Sequence, residues 1–173
     1  MSELHYLAFG SNLHPFRLGE RVPSARLLGR VELTGYRLAF HKLGADGSGK
    51  GNLVHTGRES DIAVGALFEM AGDEKPKLDA VEGAGYRDDT LAIHFKGKPY
   101  DAFVYIGEAP YIDPDLRPYD WYRDLSWHGA RFNGASSPYL AQIAAVEAAE
   151  DSDPERRQRN RALVERIQKA GSR

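Results

Sequence analysis

The strongest constraint in this chain is an apolar run of strand length that stops in three small polar residues. Leu4 to Leu13 reads Leu-His-Tyr-Leu-Ala-Phe-Gly-Ser-Asn-Leu, a buried strand feeding straight into a tight turn. Gly10 opens backbone conformations closed to other residues, and Ser11 and Asn12 favour turns because their side chains bond nearby backbone. A turn of this kind exposes backbone N–H groups and can form a donor-lined concavity for a carboxylate, a phosphate or a developing oxyanion. The same residues also suit an ordinary turn after an edge strand.

The rest of the chain supplies strands first and helices later. His14 to Arg21 reads as a short helix closed by Val22-Pro23. Residues 25–43 read as two paired strands hinged at Thr34-Gly35. Leu53 to Thr56 and Ile62 to Met70 continue the strand set. The second of these has too few polar positions for an exposed strand, so it belongs at the centre of a closed or strongly curved sheet. Thr90 to Phe95 and Ala102 to Ile106 complete the set across Lys96-Gly97-Lys98-Pro99. Between them, Asp73 is expected to cap a short helix with Leu78 and Val81 on its apolar face, which Gly83 ends with Glu82 at its C-terminal edge. From Tyr119 onward the pattern is helical. Trp121, Tyr122, Leu125 and Trp127 anchor one helix and Tyr139, Leu140, Ile143 and Val146 another, while Asp153-Pro154-Glu155 starts a third with Leu163, Val164 and Ile167 as its buried stripe.

Length and composition narrow the function classes. At 173 residues the chain fits one domain. A net charge of −2 gives no general pull toward nucleic acid or an anionic membrane. Residues 151–173 carry seven basic and four acidic side chains, an interleaved pattern that suits a solvated helix packed on the domain. Cysteine is absent, which excludes disulfides and thiolate chemistry and makes a cytoplasmic address the default expectation. The first residues lack the basic segment and apolar run of a signal peptide, and no run reaches the ~20 apolar residues of a membrane span.

Several chemistries fail on spacing. The six histidines, at 5, 14, 41, 55, 94 and 128, show no metal-ligand spacing. Ser11 is not in a nucleophile elbow, because Phe9 and Leu13 stand where glycines belong. Gly44 to Gly51 follows the first part of a P-loop, but Gly51 replaces the magnesium-binding hydroxyl and Leu53-Val54 beyond it reads as strand. A hairpin loop or flap near a site is the better reading of that segment. Carboxylates remain, and Glu82 stands out among them. It sits among small residues that let a ligand come close, at a helix C-terminus where negative charge is unfavourable for stability. An exposed helix-end Glu is the plainer alternative.

Read in order, Tyr6-Leu-Ala-Phe-Gly-Ser-Asn-Leu13, Gly35-Tyr36 before Phe40, Gly49-Lys-Gly-Asn-Leu-Val54, Leu78-Asp-Ala-Val-Glu-Gly83, and Gly129-Ala130 with Asn133-Gly134 and Tyr139 resemble the gamma-glutamylcyclotransferase-like family over nearly the whole chain up to about residue 145. The resemblance implies an α+β fold, a small mixed β-barrel with flanking helices, over residues 1–150, with residues 151–173 as a basic helical extension packed on it. It implies release of 5-oxoproline from a small-molecule γ-glutamyl amino acid or γ-glutamyl amine, with Glu82 as general acid/base and no cofactor or metal. Tyr6, Leu7, Ala8, Phe9, Gly10, Ser11 and Asn12 fall on the substrate-binding turn, and Tyr86, Tyr105 and Tyr122 on pocket walls. Phe9 stands where many members have Tyr, so a hydroxyl is missing beside the turn. A non-catalytic domain that binds a small acidic metabolite is the alternative, and a phosphate site at Gly44 to Gly51 is third. Sequence leaves the leaving group and the oligomeric state open.

Overall fold

The computed structural model describes residues 2–171. Seven strands and five helices alternate as β1 (Glu3–Ala8), α1 (Pro15–Arg21), β2 (Arg26–Thr34), β3 (Tyr36–Leu43), β4 (Gly49–His55), β5 (Ile62–Ala71), α2 (Lys75–Glu82), β6 (Tyr86–Phe95), β7 (Lys98–Gly107), α3 (Asp120–Phe132), α4 (Ser137–Ala144) and α5 (Pro154–Ala170). Five strands form one mixed sheet in the order β2-β5-β1-β7-β6, in which only β1 and β7 run parallel, and β3 and β4 form a separate two-stranded ribbon. The architecture is therefore α+β with flanking helices. Among the described residues the sheet does not close into the expected barrel: β2 and β6 remain as its edges.

Side-chain alternation explains the layers. Along β1, Tyr6 and Ala8 face the helices while Leu7, and Phe9 just beyond the strand, face the ribbon; along β7, Phe103 and Tyr105 oppose Ala102 and Val104 in the same way. On β5, Val64, Ala66, Phe68 and Met70 pack under the helices and Ala63 and Leu67 under the ribbon. Coverage on both faces is why this strand has almost no polar position.

The structure corrects the expected pairing of residues 25–43. β2 pairs with β5 and β3 with β4, so these two consecutive strands do not pair with each other. The cause is Gly35, whose φ of 84° turns the chain out of the main sheet. Its N–H donates to the Asp61 carbonyl at 2.7 Å and its carbonyl accepts from Thr56 at 2.8 Å, which ties both ends of the ribbon to this corner. The expected Asp73 cap is also absent: a 3-10 turn over Gly72–Glu74 leads into α2 with no side-chain cap, and Pro76 lies in the first turn. Gly83, at φ 73°, ends α2 as expected. Val146 lies beyond α4 and Trp127 is only partly buried, whereas Leu163, Val164 and Ile167 are the buried stripe of α5. No helix of the described residues is long and apolar enough to cross a membrane.

The first helix is held by an unusual cap. His14 is buried, and its Nδ1 accepts from the Phe16 N–H at 3.1 Å while Nε2 finds no partner among the described residues. Accepting at Nδ1 requires the neutral ring, and burial followed by the charge of His128 pulls its pKa down to about 4. A base with a lowered folded-state pKa binds its proton more readily when unfolded. Its contribution is therefore complete above the unfolded value of about 6.5 and is lost as pH falls toward 4. Lowering pH from 7 to 5 is expected to cost about 2 kcal/mol from this one residue. His14→Asn keeps a cap acceptor and should flatten that limb of the stability curve in urea titrations at each pH.

Candidate functional site

The strand-to-turn run delivers the site. After β1, the Leu13 N–H returns to the Gly10 carbonyl at 3.4 Å, which closes the turn. The backbone N–H groups of Ser11 and Asn12 have no protein acceptor among the described residues. Gly10 does not need a left-handed conformation here. Its value is space: a Cβ at this position would stand 3.9 Å from the Gly51 Cα and 4.0 Å from the Tyr122 hydroxyl, inside the concavity.

The end of α2 brings Glu82 to the turn, 70 residues away in sequence. Asn12 Nδ2 donates to Glu82 Oε1 at 2.8 Å and to the Tyr6 hydroxyl at 3.1 Å, while Asn12 Oδ1 accepts from Arg21 Nη1 at 3.0 Å. Arg21 also lies 3.5 Å from Glu82 Oε1, whose side chain is 15% exposed. Asn12 thus uses every group it has to align a carboxylate, a phenol and a guanidinium. Two devices fix the helix end. Gly83 releases the chain, and the buried Lys42 ammonium donates to the Ala84 carbonyl at 2.6 Å while lying 4.1 Å from the centre of the Tyr86 ring.

The tyrosines form the wall. Tyr86 donates to the Gly51 carbonyl at 2.5 Å and Tyr122 accepts from the Gly51 N–H at 2.9 Å, so both backbone groups of this residue are clamped. Tyr105 donates to Asp79 Oδ1 at 2.5 Å. Burial, reinforced by the nearby Glu82 carboxylate, pushes the Tyr6 phenol far above its ordinary range. Burial does the same at Tyr86 and Tyr105 and raises the Tyr122 phenol as well. All four remain protonated at neutral pH and act as hydrogen-bond groups only.

Of the expected site residues, Tyr6, Phe9, Gly10, Ser11, Asn12, Glu82, Tyr86, Tyr105 and Tyr122 come together around one recess of about 20 Å³, joined by Gly51. Leu7 and Ala8 do not. Both are fully buried, on opposite faces of the sheet, and serve the core. The glycine-rich segment proves to be the β3–β4 hairpin turn, with Gly49 already in a strand and therefore no P-loop helix. A Cβ at Gly49 would lie 2.2 Å from the Phe40 carbonyl, so close backbone approach explains that glycine.

A wider cavity of about 670 Å³ shares Ser11, Glu82, Tyr86 and Tyr122 with the recess. Besides Lys50, from the glycine-rich segment expected near a site, it brings in residues that sequence reasoning missed: Arg17 and Arg21 of α1, Lys42 of the ribbon, and Arg156 and Arg159 of α5. One signal for the first pair was present, since positions four apart on a helix beginning at the turn share a face. None was present for α5, which reaches the cavity only through tertiary packing.

No family model matches the chain, and no curated protein matches it. Solved structures do. A gamma-glutamyl cyclotransferase superposes with a TM-score of 0.78 at 20% identity, covering 95% of this chain and 99% of that one. An uncharacterized protein from Homo sapiens gives 0.78 at 21% identity over the same shares. YkqA from Bacillus subtilis gives 0.67 at 18% identity over 86% of this chain and 57% of that one. Near-complete mutual coverage extends to the C-terminal helices, and the chain therefore has the gamma-glutamylcyclotransferase-like fold.

Proposed function

We propose that the protein is a γ-glutamyl cyclotransferase that releases 5-oxoproline from a γ-glutamyl amino acid or γ-glutamyl amine. The observation that carries this reading is the Glu82 carboxylate, largely buried and aligned by Asn12 at 2.8 Å beside the free N–H groups of the Ser11-Asn12 turn.

In the proposed reaction the substrate's own α-amine attacks its γ-carbonyl carbon. A C–N bond closes the five-membered ring, the carbonyl oxygen carries transient negative charge, and the original amide C–N bond then breaks. The α-amine is mostly protonated at neutral pH and needs a base. From ammonium to ring N–H the attacking nitrogen loses two protons, and the departing nitrogen gains two as it leaves as an ammonium; Glu82 relays them one at a time and ends the cycle as the carboxylate, so protons balance and no cofactor enters. The reacting centre lies against the recess, which at about 20 Å³ has room for little more than a water; the remainder of the molecule occupies the wider cavity. The turn's N–H groups serve the glutamyl carboxylate or the developing oxyanion. Because the attack is intramolecular, much of the acceleration comes from folding the flexible glutamyl chain into a reactive shape.

A binding domain without catalysis is the weaker reading. A carboxylate held at the floor of a cationic cavity opposes the binding of an acidic metabolite and gains nothing unless it handles protons. The test is 5-oxoproline release from a panel of γ-glutamyl amino acids, γ-glutamyl amines and glutathione. Release from at least one member supports the enzyme, and no release from any member by the folded protein would overturn it.

A further inference from the structure

We propose that the wide cavity selects substrates whose leaving group carries two or more negative charges, such as γ-glutamyl-glutamate or γ-glutamyl-aspartate, over neutral and singly charged ones. This rests on the cyclotransferase reading and names its substrate class.

The charge balance of the cavity carries the argument. Six cationic side chains line it, against the carboxylates of Asp46 and Glu82 alone. Three of the six are already committed: Arg21 to Asn12 and Glu82, Lys50 to Asp46 at 2.8 Å, and Arg156 to the buried Asp151 at 2.6 Å. Arg17, Lys42 and Arg159 have no ion-pair partner among the described residues. Lys42 is 2% exposed and is held by the Ala84 carbonyl and the Tyr86 ring without a carboxylate in ion-pair contact, and the Arg17 guanidinium reaches only Asn160 Oδ1 at 3.4 Å, with its Nε buried and unbonded.

Leaving two cations sheltered without counter-charges is costly unless a ligand supplies them. The glutamyl part of a substrate is a poor candidate. Its α-amine and α-carboxylate cancel, and the turn's N–H groups offer that carboxylate a place of its own. A neutral amine leaving group adds no charge, and a simple amino acid adds one carboxylate. Three unpaired cations contributed by three elements, α1, the ribbon and α5, match a leaving group that carries more than one carboxylate.

The experiment measures kcat/KM for γ-glutamyl-glutamate, γ-glutamyl-alanine and γ-glutamyl-ethylamine on the wild type and on Arg159→Glu, whose exposed helical position tolerates the change. Binding of the same three ligands to Glu82→Gln is followed by calorimetry. The expected result is a preference for γ-glutamyl-glutamate over γ-glutamyl-alanine of about tenfold, which narrows at high salt and falls about three- to tenfold in Arg159→Glu. Wild-type turnover that is equal for the glutamate and alanine conjugates would overturn the inference and leave the enzyme standing. A binding preference for γ-glutamyl-glutamate with no 5-oxoproline from any reaction would keep the selectivity and remove the catalytic reading.

Discussion

Replacing Glu82 with Gln is expected to leave a folded protein whose kcat for 5-oxoproline release is lower by about 10²–10⁴. Gln has the same shape and can still accept from Asn12 Nδ2 through its carbonyl oxygen, so the turn, Tyr6 and α2 keep their alignment. What it lacks is the ability to take a proton from the α-amine and return it to the leaving nitrogen. The lost ion pair with Arg21 is long, at 3.5 Å, and Arg21 keeps its bond to Asn12 Oδ1, so the cost to stability should stay within about 1–3 kcal/mol. Thermal unfolding followed by circular dichroism checks the fold, and single-turnover release of 5-oxoproline checks the chemistry. A kcat equal to that of the wild type, with Tm unchanged, would remove Glu82 from the mechanism.

Both halves of this candidate site, the turn and Glu82, stood out in the sequence for different reasons. The turn announces itself locally, because an apolar strand cannot end in Gly-Ser-Asn without exposing backbone donors. Glu82 announces itself by standing at a helix end that its charge does not favour. What brings them together, 70 residues apart, is the β1–β5 pairing and the seating of α2, which no local pattern encodes. Register explains why Leu7 and Ala8 do not line the recess: they lie inside the motif, but they precede the turn and their side chains therefore point into the two cores. The pairing error at residues 25–43 has a single cause in Gly35, whose positive φ separates two strands that look consecutive in sequence. The cationic cavity was least legible, since Arg17, Lys42 and Arg159 each read as ordinary surface charge until three elements converge.

Asp151→Ala is the other large effect expected, and it concerns how α5 is fastened. The Asp151 carboxylate is buried, with a side chain 0% exposed, and accepts from Trp121 Nε1 at 2.9 Å, from Arg156 Nε at 2.7 Å and Nη2 at 2.6 Å, and from the Asp153 N–H at 2.9 Å. Those hydrogen bonds, led by the Arg156 guanidinium, hold the acid well below the usual carboxylate range. Truncation would leave an indole N–H buried without a partner and Arg156 with only the Asp153 carboxylate, at 4.0 Å, as counter-charge, a loss of about 3–5 kcal/mol, which is a large part of the roughly 5–15 kcal/mol that stabilises a domain of this kind. The sign with pH follows from the depressed pKa. The contribution is complete above the unfolded value of about 4 and is lost progressively as pH falls below it, so the gap between wild type and Asp151→Ala should narrow in acid. Urea unfolding at pH 7 and pH 3 measures both points. A difference below about 1 kcal/mol at neutral pH would mean that the apolar stripe of Leu163, Val164 and Ile167 holds α5 without this anchor. A full loss would mean that the helix carrying Arg156 and Arg159 to the cavity is secured from beneath by one buried carboxylate, which links the charge of the cavity directly to the stability of the fold.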